Sequence, residues 1–591
     1  MAPPMSKLTR RRLMASGAAV SGVAIAGCIG GDDDDDGDDG RELIDPDDYS
    51  YERDPPDDPE AAVGGEVRFA QDNSRAEDFD PVISNDLYSA EVFDWVFDGM
   101  YEWTDELQLE PKIATDMPEV EEDGTRLIYE IRDDVEFSDG TPLTSEDVEH
   151  TVIAPVLEAT DNQGTFSLIE RTEIIDEHSI QLDLRFAETQ WQMQTQAFNV
   201  VSKEHRLEDP DAYDDATPDE LPEAADEDLV EELTGYVNDD YNVNPVGNTI
   251  GSGPYEFVEF TENEAAVLEL RDDYWDDDVE AYVERLVLEA VEEDPTRMSA
   301  IEAGDYDVTT DIVNDDLPGL ADNDDLQVHV DESPSYMYMA FNCTDEADTS
   351  DPDIRRGICH AFSMDDFVRI NMNNTATAIP APVPPIADVE FGFPMDEWSE
   401  ELYPSYDPDL AEELLEENAP DDFNPTILAP AGDPREDLAE HIATRLDEIG
   451  FDATVNGVDF GTLTDMYNTG DPDDYEMYLL GWTGGPDPNA YLYSLFHEDM
   501  AGVTQGHFYE GQGDFHDKIA EARGLQDVDE RRELYIDVIE EILEYLPVLP
   551  AYSMHNTLVN QTHLRDVHGH PAAGTAPRWA SRGYGSIWVD N

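Results

Sequence analysis

Polar and apolar positions alternate with period two along Gly65-Glu66-Val67-Arg68-Phe69-Ala70, which predicts an opening strand, with Phe79-Asp80-Pro81 as the turn beyond it. Residues 87–97 carry apolar side chains at helical spacing. Residues 127–135 alternate again, and Phe137-Ser138-Asp139-Gly140-Thr141-Pro142-Leu143 holds a turn. Thr144-Ser145-Glu146-Asp147 then opens a helix, with Thr144 as N-cap and Asp147 as the reciprocating acid. Residues 174–186 predict two strands around Asp176-Glu177-His178. Residues 207–240 are nearly all acid, Ala and Pro and read as a surface insertion or a charged helix. Near residue 251 the pattern restarts, and Gly251 and Gly253 suit a tight approach to a strand. A strand at 282–288, a helix at 295–301 closed by Gly304, and a short strand at 307–310 follow. A third region begins with the strand Ser335-Tyr336-Met337-Tyr338-Met339-Ala340-Phe341-Asn342. It continues through a helix at 354–362, a Pro-rich loop at 380–385 and a strand–helix–strand unit at 426–428, 434–449 and 452–455. A last helix at 531–546 enters a strand at 547–552 that returns to an earlier sheet.

The first 40 residues break this pattern. Arg10, Arg11 and Arg12 precede Leu13-Met14, residues 15–27 are small and apolar, and Cys28 ends the run. An apolar run of about 13 residues is short of the roughly 20 that a helical span needs. The paired Arg10 and Arg11 resemble a twin-arginine export signal, and Ile25-Ala26-Gly27-Cys28 resembles a lipobox. The implied product starts at Cys28 and is held to the outer face of a membrane by lipid on that thiol. An unstructured basic leader is the competing reading. Residues 28–61 are rich in Asp and Pro and read as a disordered, solvated spacer.

Composition narrows the function classes. The 591 residues hold 144 acidic against 30 basic side chains, a formal net charge of −114, and only four of the basic ones are lysines. Acid spread this evenly looks like adaptation to multimolar salt, which screens the self-repulsion. It leaves no basic patch for nucleic acid. No Asp-x-Asp-x-Asp-Gly loop followed by the distant Glu of a calcium site is present, nor Cys-x-x-Cys, Gly-x-Ser-x-Gly, His-Glu-x-x-His or a phosphate loop ending in Lys-Ser or Lys-Thr. The sequence therefore implies no catalytic set, no cofactor and no metal. A late group of histidines, His555, His563, His568 and His570, stands as the alternative for a metal. Cys343 and Cys359 read as separate structural thiols or as a pair.

Large aromatics among the acids point instead to binding. Tyr336, Tyr338 and Asn342 lie on one predicted strand, where one tyrosine is expected in the core. Trp482 is expected on an irregular loop after a strand at 478–480, as a cleft residue or, alternatively, as core packing.

In this order the motifs resemble the large extracellular solute-binding proteins of ABC importers, the peptide/nickel-binding type called family 5. The stretch 137–148 is the most specific match. Phe79-Asp80-Pro81, Asn244-Pro245-Val246-Gly247 with Gly251-Ser252-Gly253-Pro254-Tyr255, Asp294 to Asp307, Asp353 to Asp365 and Tyr406-Asp407-Pro408 match further blocks. The resemblance implies an α/β, periplasmic-binding-protein-like type II (cluster C) fold with two lobes, a hinge and an extra domain. It places a signal peptide at 1–27, lobe I at 62–90, 241–332 and 546–591, the extra domain at 91–240 and lobe II at 333–545. The implied function is a lipid-anchored, monomeric receptor, not an enzyme. It would take peptide or another small polar solute into a closing cleft and pass it to a permease with its own ATPase. Tyr336, Tyr338, Asn342, Trp482, Gly485 and Asp487 would face the solute. Peptide binders of the family carry an Asp for the ligand's α-ammonium where this chain has Gly485, and Asp487 matches a separate Asp before Pro. An unpaired buried ammonium costs several kcal/mol, so oligosaccharides, metal complexes and modified peptides enter as alternatives, and an exported acidic hydrolase is the rival from another class.

Overall fold

The computed structural model describes residues 53–71, 79–84, 87–104, 108–188, 198–238, 241, 244–262, 264–291, 293–310, 312, 316–506, 515–569, 577–582 and 586–590. Arg10, Arg11, Cys28 and most of the expected spacer lie outside them. No helix among the described residues is long and apolar enough to cross a membrane. The chain divides into two compact units, one of Ser50–Asp331 with Asn556–Asn591 and one spanning Glu332–His555.

In the first unit, the alternating opening segment forms β1 (Glu66–Gln71). A small antiparallel sheet follows, built from β2 (Glu119–Glu121), β3 (Arg126–Glu130), β4 (Ile169–Asp176) and β5 (Ser179–Leu184) in the order β2-β3-β5-β4. Helix α1 (Ser145–Leu157) packs on it. The predicted capping box is present: Thr144 Oγ1 accepts from the backbone of Glu146, and Asp147 accepts from the backbone N–H of Thr144 at 2.9 Å. The apolar side chains of 100–233 close a core of their own around α1.

The acid-rich stretch 207–240 is more than surface. It forms the short helices Pro210–Ala216 and Glu227–Thr234, which bury Tyr213 and Leu233. Just before it, fully buried Arg206 donates to Asp80 at 2.7 Å and, with two nitrogens, to Glu158 at 2.6 and 2.8 Å. The Asp of the Phe79-Asp80-Pro81 turn is thus one end of a buried charge network.

The larger sheet of this unit contains β6 (Tyr255–Thr261), β7 (Ala265–Leu270), β8 (Arg285–Ala290) and β9 (Val308–Thr310). β1 lies parallel to both β8 and β9, and β6, β7 and β8 are antiparallel in turn. Helix α2 (Asp294–Ala303) ends on Gly304 at φ 75°, the left-handed C-cap that glycine adopts without strain. Gly251 and Gly253 do make a tight approach, but to the backbone of Trp95 and Val96 rather than to a strand. A Cβ on Gly251 would sit 1.9 Å from the carbonyl oxygen of Val96.

In the second unit, β10 (Ser335–Phe341) is followed by α3 (Pro352–His360), β11 (Thr426–Pro430), α4 (Pro434–Glu448), β12 (Thr454–Val458), α5 (Phe460–Tyr467) and β13 (Met477–Thr483). Two helical crossovers join parallel neighbours, β12 and β13 each pairing with β11. β13 then runs antiparallel to β10. Helices α6 (Asn489–Phe496) and α7 (Val528–Tyr545) follow. β14 (Val548–Gln561) pairs antiparallel with β10 through its first half and with β9 through its second. The chain therefore returns to the first unit within β14, at 556, because the strand is 14 residues long and pairs with β10 in its first half and β9 in its second.

Candidate functional site

The end of β13 and the loop behind it gather the residues singled out by sequence, all within the second unit. Trp482 is on the strand itself, which runs to Thr483, and not on an irregular loop. Its backbone pairs with Tyr336 of β10, as Leu480 pairs with Tyr338. Period two puts Tyr336 and Tyr338 on one face of β10, so both, not one, are buried. Their rings stack with centroids 5.2 Å apart, and Tyr491 of α6 meets Tyr336 edge-on at 6.3 Å. Neither hydroxyl has a hydrogen-bond partner, and burial pushes both far above the usual phenol range.

Trp482 is only half-buried, and its Nε1 donates to Ala490 O at 2.9 Å, which fixes the indole against the start of α6. Asn342 is fully buried. Its amide donates to Gly470 O and Tyr475 O at 3.1 and 3.2 Å, and its Oδ1 accepts from Thr344 N and Oγ1 at 3.1 and 2.7 Å. That engages both of its donors and both acceptor sites, so it ties down neighbouring loops and leaves nothing for a solute.

After β13 the chain passes two glycines with opposite surroundings. A Cβ on Gly484 would meet Ala490 and Tyr491 at 2.9 Å, whereas one on Gly485 would meet nothing within 4 Å. Gly485 thus borders open space. Asp487 does not: it is 1 % exposed, its Oδ1 caps Asn489 N at 2.8 Å, and its Oδ2 forms an ion pair with Arg531 of α7. The Asp487–Arg531 pair is the anchor of this loop. Arg531 also donates to Tyr535 at 3.0 Å and lies over the ring of Phe391 at 5.3 Å. Its neighbour Arg532 donates to the carbonyls of Phe391 and Gly392 at 2.5 and 2.6 Å.

A second polar edge lies at the start of α4. Arg435 makes a bidentate pair with Asp433, both contacts 2.7 Å, and its Nη1 is 3.4 Å from where a Cβ on Gly481 would stand. Burial pushes the hydroxyl of nearby Tyr552 up, and it has no hydrogen-bond partner.

Sequence reasoning missed Arg531, Arg435 and Tyr552. One signal was available: with 30 basic residues among 591, an arginine inside a helix or beside a strand is rare enough to mark a charge that needs burying.

Among the described residues, no group of three or more His, Cys, Asp or Glu is placed to hold a metal ion. The late histidines disperse: His555 bonds Thr377 at 2.8 Å, His563 faces Asp307 at 3.2 Å, His568 is buried, and His570 lies outside the described residues. Cys343 and Cys359 are free, buried thiols, and burial raises both, Cys343 to about 11.

Comparison with known proteins supplies the frame for this geometry. Residues 108–502 match the family model described as bacterial extracellular solute-binding proteins, family 5 middle. The oligopeptide-binding protein AppA of Bacillus subtilis (strain 168) is 20 % identical, over 83 % of this chain and 88 % of its own length. Among solved structures, the periplasmic binding protein DppA of Helicobacter pylori, in complex with the peptide STSA, superposes with a TM-score of 0.67 at 20 % identity, covering 90 % of this chain and 99 % of that one. NikZ of Campylobacter jejuni, in complex with Ni(L-His), gives 0.64 at 20 % identity, over 86 % and 95 %. At these identities the superpositions establish the mixed α/β, type II periplasmic-binding fold, and the two complexes hold chemically different solutes on it.

Proposed function

We propose, since this chain belongs to the extracellular solute-binding proteins of family 5, that it is the solute receptor of an ABC importer and takes peptide-like solutes. The match over residues 108–502 carries the reading. AppA, named as an oligopeptide-binding protein, and the peptide complex of DppA support peptide as the solute class. In this scheme two lobes close on the solute about a hinge and the complex docks on a permease, while the chain itself turns nothing over. The leader features at Arg10, Arg11 and Cys28 support export by the twin-arginine route and a lipid anchor on the outer face. Asp32 to Pro59 would then act as a tether, with the receptor working as a monomer.

The site at the end of β13 fits capture rather than catalysis. It offers an indole, an open glycine and fixed polar edges, and Asp487 is committed to Arg531. The family's ammonium-binding Asp has no counterpart at Gly485, so a peptide's amino terminus must find a different carboxylate.

The test is purification from the native host in molar salt, followed by mass spectrometry of the molecule that co-elutes. Peptide is the expected result, with no hydrolysis on prolonged incubation and a rise in melting temperature on re-addition. A sugar or a metal complex in its place would overturn the solute class, and turnover would overturn the receptor.

A further inference from the structure

A cavity of about 230 Å³ opens in the second unit at the turn from α3 into the helix Met364–Asn371, against residues 403–406 and the first residues of β14. Its floor is apolar. Phe362, Ile379 and Leu549 are each no more than 3 % exposed, and the buried Cys359 thiol, which burial keeps neutral, completes it. One wall is the half-buried Tyr403, whose hydroxyl donates to Pro550 O at 2.8 Å. The loop beyond it is held by His360, whose Nδ1 donates to Ser405 O at 2.6 Å. Both bonds are internal to the protein, so the cavity is preformed rather than moulded by an occupant.

The single charged group on the lining is Asp365, in the first turn of the helix Met364–Asn371. It lines the cavity and is exposed, which places it at the rim. Its neighbour Asp366 pairs with Arg369 at 3.1 Å, whereas no hydrogen bond or ion pair engages Asp365 among the described residues. Partial loss of solvent raises its pKa, with Asp366 pushing the same way. Such a carboxylate gains more from a cation than one in open water does. An anion meets one carboxylate and no cation on this lining, and a metal ion needs more ligands than one carboxylate. Size narrows the occupant further. An apolar cavity of about 150 Å³ takes benzene, so this one has space for a ring and a few more heavy atoms.

We propose that this cavity is a second small-molecule site, which takes a primary amine with a compact apolar or aromatic body. The body lies on Phe362, Ile379 and Leu549, and the ammonium pairs with Asp365 at the rim. The inference goes beyond the receptor reading and does not depend on it. Trp482, Gly485, Asp487 and Arg531 are all absent from the lining, so the cavity is separate from the site at the end of β13.

The experiment is a ligand-observed NMR titration of the full chain in molar KCl with two probes, benzylamine and its neutral counterpart benzyl alcohol. The wild type should bind benzylamine at least about tenfold more tightly, as a charge-assisted bond provides. Asp365→Asn should bring the two probes to within about twofold, with the unliganded melting temperature unchanged, because Asp365 is exposed and holds nothing else. Ser399→Phe adds a ring to the lining from the helix Met395–Glu401 and should abolish binding of both probes. If Asp365→Asn still prefers the amine as the wild type does, Asp365 is not its partner and the assignment is wrong. If Ser399→Phe folds and binds benzylamine as the wild type does, the amine sits elsewhere, the solute site included, and the cavity is overturned. Should that variant fail to fold, Asp365→Asn decides alone. Binding of neither probe by the wild type up to about 10 mM also overturns the proposal, and the receptor reading stands in every case.

Discussion

Asp487 and Gly485 lie two residues apart, and the structure assigns them opposite tolerances. Asp487→Asn leaves Arg531 as a buried cation without its partner, with side chains 1 % and 4 % exposed. Breaking such a pair costs about 3–5 kcal/mol, so the denaturant midpoint should fall accordingly. Gly485→Ala adds a methyl group to open space and should change stability by less than about 0.5 kcal/mol. Equal losses for the two variants would mean that the loop is not anchored as described. A third residue reports through pH. Burial lowers the pKa of His555 to about 4, against about 6.5 for a free histidine. Above pH 6.5 neither the folded nor the unfolded form is charged. Below it the unfolded chain gains a proton that the folded one refuses, so stability is lost as pH falls towards 4. The loss is on the order of 3 kcal/mol. Asp94 and Asp388 have the opposite sign: burial raises both to about 6, so they stabilise relative to unfolded carboxylates as pH falls through the same range. The clean measurement is therefore a difference. Between pH 6.5 and 4 the wild type should lose about 3 kcal/mol more than His555→Gln, and parallel curves would remove His555 from the account.

At the scale of elements, what the sequence made legible was local. The capping box at Thr144 and Asp147 needs four consecutive residues and nothing else, and it is present with its reciprocal bonds. The Gly304 C-cap and the strand–helix–strand unit around α4 were readable for the same reason. Thr144→Ala should cost about 1 kcal/mol, as N-cap losses do, measured on chemical unfolding. What resisted reading depends on partners distant in sequence. The extension of β13 through Trp482 is set by pairing with β10, more than 140 residues earlier. Asp80 finds Arg206 126 residues away, and nothing in Phe79-Asp80-Pro81 announces it. Gly251 shows the limit well, since its need for a bare backbone was legible while the element it touches was not. Gly251→Ala should fail to fold or lose about 3 kcal/mol, because the clash at 1.9 Å is with backbone, which cannot swing aside. A much smaller loss, comparable to Thr144→Ala, would show that 251–253 and 95–96 are not packed as tightly as described. The site was half legible on the same grounds: Trp482, Gly485 and Asp487 fall in one short stretch, whereas Arg435 and Arg531 reach it from separate elements.

At the scale of the whole molecule, a charge of −114 on 591 residues sets conditions for every measurement above. The described ion pairs neutralise only a fraction of the acid, because 30 cations cannot match 144 anions. The remainder repel one another in the folded state more than in the expanded chain, where they are farther apart. At 0.1 M salt the Debye length is about 10 Å, comparable to the spacing of neighbouring surface carboxylates, and at 1 M it is about 3 Å. Screening should therefore raise the melting temperature steeply between these concentrations, by tens of degrees if the chain folds at all in dilute buffer. Above 1 M the rise should slow, as the charges are already isolated and only weaker solvation effects continue. Two controls separate charge from general stabilisation. Sucrose at matched osmolality should fail to replace KCl, since it strengthens burial without screening. Lowering the pH towards 4 at 0.1 M salt should partly replace it, since protonated carboxylates no longer repel, and the His555→Gln variant should show this gain more clearly than the wild type. A melting temperature independent of salt, or sucrose acting as well as KCl, would mean that the acid surface is not what limits this fold.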